Sequence, residues 1–160
     1  MKSVFLIVAT FFIAFLLTIL TMPNWSLWAR PEWVLLVLIY WAVAFPEHCG
    51  VLTAGCVGLL QDSLTASPLG KHMIAFALIT AIVVAMHQRF RMYDLWYQAR
   101  FIFLFVVVEY LVFYFVDKLA GNSTMLPMLF APALISALIW PWLMVVLRGL
   151  RRQFGLTAKI

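Results

Sequence analysis

Charge is what this sequence has least of. Only 11% of its 160 residues are charged and 66% are hydrophobic, whereas a soluble domain carries about 25% charged and about 45–50% apolar residues. Eleven basic and six acidic side chains are too few to clothe a soluble core of this size. The same balance excludes a disordered chain and leaves no room for a nucleic-acid-binding domain. Cysteine is scarce too. Two residues, Cys49 and Cys56, cannot make a disulfide scaffold. With no C-x-x-C pair and no Cys/His cluster at zinc spacing, they predict two reduced, buried thiols and no metal. Catalytic signatures are missing as well: no P-loop, no G-x-S-x-G, no H-E-x-x-H and no paired carboxylates in one apolar run. Neither an enzyme nor a cofactor is expected.

Long apolar runs are what the chain does have. Its mean hydropathy is +1.06, and the runs approach the roughly 20 helical residues that cross a bilayer. The expectation is an all-α polytopic helix bundle forming a single integral membrane domain over residues 1–160. The net charge of +5 then marks loops held at the cytoplasmic face rather than nucleic acid. Lys2 ahead of the apolar stretch 4–20 resembles a signal peptide. The stretch is longer than such peptides carry and no A-x-A site follows it, so a retained first helix is expected. Four long runs are expected to span: residues 3–22, 72–86, 101–116 and 128–147. Pro23-Asn24 ends the first, and the interfacial rings Trp25, Trp28 and Trp33 follow.

Residues 33–61 are apolar but broken at Phe45-Pro46-Glu47-His48-Cys49-Gly50. A single span there would put Glu47 and His48 in lipid. Two short helices, as a pair of spans or a re-entrant hairpin, avoid this. Six spans with both ends inside would place eight basic residues internally (Lys2, Arg89, Arg91, Arg100, Arg148, Arg151, Arg152 and Lys159) against Arg30, Lys71 and Lys118 outside. The expected architecture is therefore six transmembrane helices, N-in and C-in, with a short broken helical pair at 33–61.

Polar residues inside apolar runs call for reasons. Glu109 lies nine residues from Arg100 and eight from Asp117, about 12 Å from either end of its run. It reads either as a proton or ligand site or as a buried contact fixing helix packing, with Tyr40, Thr53 and Ser136 as candidate partners. Asp117, beside Lys118, reads as a solvated end charge. Gly50, Ala54, Gly58 and Asp62 recur every four residues, one narrow helical stripe on which another backbone can approach closely. Asp62 opens the turn-rich segment ending Pro68-Leu69-Gly70. It can cap its own turn, pair with Lys71 or contact a partner. The three histidines, His48, His72 and His87, fall at separate run ends and read as interfacial. Trp140-Pro141-Trp142 interrupts the last run and predicts a kink.

Several stretches together resemble the MreD family of rod shape-determining proteins. They are Arg30-Pro31-Glu32-Trp33-Val34-Leu35-Leu36, Leu38-Ile39-Tyr40-Trp41, Gly58-Leu59-Leu60-Gln61-Asp62, Pro68-Leu69-Gly70-Lys71-His72, His87-Gln88-Arg89, Leu95-Trp96-Tyr97-Gln98-Ala99 and Trp140-Pro141-Trp142 with Arg148, Arg151, Arg152 and Phe154. Their order and spacing cover nearly the whole chain, and the proteobacterial form is most similar. The resemblance implies a non-enzymatic scaffold of the bacterial cell-elongation complex in the inner, cytoplasmic membrane. It implies MreC as direct partner and, indirectly, MreB, RodA and an elongation transpeptidase, with lipid around it and no nucleic acid. It also implies a helical arrangement similar to the substrate-binding subunits of vitamin transporters, a fold analogy only. The alternative is a transporter-type subunit that binds a small molecule or a lipid. Stripe and turn residues Gly50, Ala54, Gly58, Asp62, Pro68, Leu69 and Gly70 are the candidate packing or partner-binding set. Glu109 is the buried polar candidate, and Arg30, Pro31, Trp33, Tyr40, Trp41, Trp140, Pro141 and Trp142 are interfacial or motif residues.

Overall fold

Punctuation by proline, glycine and small polar residues divides the apolar sequence into six helices among the described residues. The computed structural model describes residues 2–20, 30–121 and 130–155; Trp25, Trp28 and Lys159 lie outside them. The helices are α1 (Lys2–Ile19), α2 (Trp33–Ala44), α3 (Val51–Thr65), α4 (Lys71–Met92), α5 (Leu95–Leu119) and α6 (Phe130–Gln153). α2 stops one residue short of Phe45-Pro46, because a proline disfavours helical geometry in the residue before it. α3 starts after Gly50, which is extended at φ −90° and ψ −170°. It ends in a Schellman turn: Ala66 is left-handed at φ 50°, and the Ser67 N–H reaches back to the Asp62 carbonyl at 3.2 Å. Gly70, at φ +98°, then turns the chain into α4.

The expectation of six transmembrane helices is overturned. Among the described residues only α4, α5 and α6 are long and apolar enough to cross a membrane. α1 offers the shorter apolar run Val4–Ile19 and α2 only Trp33–Ala44. At 1.5 Å per residue α2 reaches about 18 Å and α3 about 22 Å, against a hydrocarbon core of about 30 Å. Counting apolar runs as crossings fails here because hydropathy does not distinguish a span from a short buried helix. The arrangement with both ends inside rested on that count and falls with it.

The short helices have a different job. Every residue from Val34 to Ala44 is buried, so α2 is apolar on all sides because protein surrounds all sides. It packs on α1, α4 and α6, while α3 packs chiefly on α4. The break within 33–61 is therefore present, and its two helices both lean on α4, with α2 reaching on to α1 and α6 as well. α1 meets the core along Leu6, Thr10, Ala14 and Thr18, a stripe of period four. Trp41 fixes the contact by donating its indole N–H to the Thr10 hydroxyl at 2.8 Å. α5 lies between α4 and α6. Pro141 sits inside α6, and the helix continues through it to Gln153. Trp140 is buried beside it and Trp142 is exposed.

Candidate functional site

The small-residue stripe faces α4 of the same chain. Ala54, Gly58 and Asp62 are buried, with Gly50 at the helix start. At Gly58 the two backbones nearly touch. A Cβ there would sit 2.5 Å from Met73 Cα and 2.6 Å from Met73 N, closer than real Cβ contacts come. Cys56 points away from this stripe and is exposed, contrary to the expectation of two buried thiols, because two residues along a helix turns a side chain to the far side. Cys49, in the turn before α3, is buried. Burial pushes its thiol up to about 11, so it stays protonated and unreactive at neutral pH.

Asp62 closes the stripe by capping both its own turn and the start of α4. Its Oδ1 accepts the His72 N–H at 2.9 Å and the Ser67 hydroxyl at 2.9 Å. The His72 ring Nδ1 lies 2.7 Å from the same oxygen, and Oδ2 accepts the Gly70 N–H at 2.8 Å. Orphan amides at a helix start want such an acceptor; here α3 supplies it across the turn. Asp62 lies outside the three spanning helices. Burial pushes its carboxyl up, but the His72 backbone and ring, Ser67 and Gly70 outweigh this and hold it below its ordinary value. Within the candidate set, Pro68 lends its carbonyl to the Lys71 N–H at 3.2 Å, and Leu69 is exposed.

Lys71 does not pair with Asp62. Its ammonium meets Asp117 of α5 at 2.8 Å and lies 4.9 Å from the centre of the Phe113 ring. Asp117 is thus buried and paired, not a solvated end charge. Sequence separation hid this contact, which spans 46 residues. Sequence reasoning also passed over Glu32. Its carboxylate accepts the Tyr110 hydroxyl at 2.7 Å, and its backbone N–H donates to the Ser136 hydroxyl at 3.1 Å. The start of the buried helix α2 is thereby tied to α5 and α6.

Glu109 lies in the same seam and is fully buried. Among the described residues neither of its oxygens has a hydrogen-bond partner. The three partners expected for it lie elsewhere in the bonding pattern. Ser136 serves Glu32, Thr53 bonds the Gly50 carbonyl, and Tyr40 lines a cavity with arginines.

Among the described residues two cavities open near the end of α4, the first of them also bounded by the end of α6. One, of about 260 Å³, is lined by Tyr40, Arg91, Gln98, Arg148, Arg151 and Arg152 among others. The second, of about 370 Å³, brings His48 and His87 together with Glu47 and Arg91, while His72 stays with Asp62. Gln98, another buried group missed in sequence, braces this end. Its amide nitrogen donates to the carbonyls of Phe90 at 3.2 Å and Tyr93 at 2.9 Å, and its oxygen accepts the Trp140 indole N–H at 3.2 Å. Arg30 and Trp33 are half-buried and Pro31 is buried, beside the tied start of α2.

No solved structure matches the chain. It is 29% identical over 152 residues to the rod shape-determining protein MreD of Haemophilus influenzae, an alignment covering 95% of this chain and 94% of that relative. The family model described as rod shape-determining protein MreD matches residues 1–150. A multi-helix membrane bundle, cross-tied by buried polar residues, thus carries a family pattern over nearly its full length, and the chain belongs to the MreD family.

Proposed function

We propose that this chain is a non-catalytic scaffold of the cell-elongation complex in the bacterial inner membrane, docking MreC and, through it, MreB, RodA and an elongation transpeptidase. The coarser role, a membrane scaffold in rod-shape determination, follows from family membership. The observation that carries the finer reading is the family match over residues 1–150. The helix bundle supports it, with three helices long enough to span and apolar side chains such as Phe5, Phe12, Leu104, Phe115 and Leu138 outward. The stripe through Gly58 is occupied by α4, so a partner helix docks on another face. A transporter-type reading needs polar groups around an accessible ligand, and neither cavity described above is lined by Glu109.

The test is affinity purification of the tagged protein from its native membrane in mild detergent, read by mass spectrometry. Recovery of MreC with the elongation synthases supports the scaffold. Recovery of a transporter energising subunit in their place overturns it.

A further inference from the structure

The end of the bundle where α4 and α6 finish concentrates positive charge around a hollow. Arg91 comes from the last turn of α4, and Arg151 and Arg152 from the last turn of α6. Arg148 sits one turn earlier. All four line the cavity of about 260 Å³, with Tyr40 of α2 and Gln98 of α5. Among the described residues none of these arginines pairs with a carboxylate. The ends of α4 and α6 turn backbone carbonyls, not amides, toward this side, so the helix termini favour cations. Arginines there are ordinarily solvated.

Two buried atoms set this place apart from a solvated basic rim. Tyr40 is only 3% exposed, and its hydroxyl has no hydrogen-bond partner among the described residues. The Arg151 Nε is likewise buried and unpartnered. A buried donor without an acceptor is costly, and two around one cavity point to an acceptor that belongs there. Four guanidinium groups specify its chemistry: a dense, multidentate anion. The size limits it further. Ligand pockets for drug-sized molecules run about 300–1,000 Å³, so this one suits a compact headgroup.

We propose that the cavity bounded by Tyr40, Gln98, Arg91, Arg148, Arg151 and Arg152 is a phosphate-binding site that takes the phosphodiester headgroup of an anionic lipid. The four arginines hold the phosphate oxygens, and the buried Tyr40 hydroxyl donates to one of them. Lipid phosphates lie at the depth where helices leave the hydrocarbon, which is where α4 and α6 end. Free phosphate shares the same chemistry. The site is independent of the scaffold reading and stands or falls separately.

The test uses the full chain in nanodiscs of phosphatidylcholine, with and without phosphatidylglycerol, and reads the melting temperature and retained lipid by native mass spectrometry. Phosphatidylglycerol is expected to raise the melting temperature and to be retained selectively. Arg148→Gln with Arg151→Gln should abolish both effects, and Tyr40→Phe should weaken retention several-fold. The charge-matched control, Arg89→Gln with Arg100→Gln, removes exposed arginines outside the cavity and should change neither. Inorganic phosphate in phosphatidylcholine discs distinguishes the sources. No shift at millimolar phosphate supports the lipid headgroup, and a shift as large as that of the lipid overturns it for free phosphate. Equal losses in the cavity and control variants would reduce the effect to general surface charge and overturn the site. Tyr40→Phe removes one oxygen, so it keeps the comparison valid should the double variant fail to fold.

Discussion

A single carboxylate does more at the α3–α4 corner than its place in the sequence suggests. Asp62 receives two backbone N–H groups and a hydroxyl, and faces a histidine ring, while only 1% exposed. Asp62→Asn keeps the shape but removes the charge that strengthens these bonds. A loss of about 1–3 kcal/mol is expected, read as a lower unfolding midpoint in detergent. The sign with pH follows from the carboxyl being held below its ordinary value. Its contribution is whole above the unfolded value and disappears as pH falls through the lower folded one. The gap between wild type and Asp62→Asn should therefore close progressively below about pH 5. Lys71 and Asp117 form the second residue-scale test. A double-mutant cycle with Lys71→Met and Asp117→Asn should return a coupling of about 0.5–3 kcal/mol. The turn around Asp62 was legible, since Ser, Pro and Gly follow it directly. The partners of Lys71 and Glu32 were not, because they lie on helices that only packing brings near.

Pairs of helices carry the next level. The four-residue stripe was readable as a close-packing face from residue size alone, but not which helix it meets, since lipid and protein surfaces are equally apolar. The contact at Gly58 makes the sharper forecast. Gly58→Ala places a methyl group 2.5 Å from a backbone atom and should cost about 1–3 kcal/mol. Gly58→Leu should deplete folded protein from the membrane and lower partner recovery only in proportion. Gly149→Ala is the contrast. Nothing lies within 4 Å of its Cβ position, so removing a helical glycine should add about 0.5–1 kcal/mol. Measuring the three melting temperatures side by side checks the pair. The break at Pro46 was equally plain in sequence. The packing of both α2 and α3 on α4 was not, because uniform apolarity names no face.

For the whole molecule, the decisive feature is that a short helix sits at the centre. Apolar composition announces a membrane bundle but not the number of crossings, because a short buried helix is as apolar as a span. α2 is apolar for the same reason as a span, but protein supplies its surroundings. Hydrogen exchange should rank its amides, between Val37 and Ala44, among the slowest in the protein, since their opening requires α1, α4 and α6 to part. Faster exchange there than in the outward-facing turns of α5 would contradict that arrangement. The enclosure also has a consequence in time. The start of α2 is tied to Ser136, which lies 104 residues further along the chain. At a synthesis rate of about 5–20 residues per second, α2 waits roughly 5–20 s for α6 to emerge. Through that interval it is too short to settle across the bilayer and has no finished pocket to enter. The second helix therefore completes its surroundings only once the last one has been made.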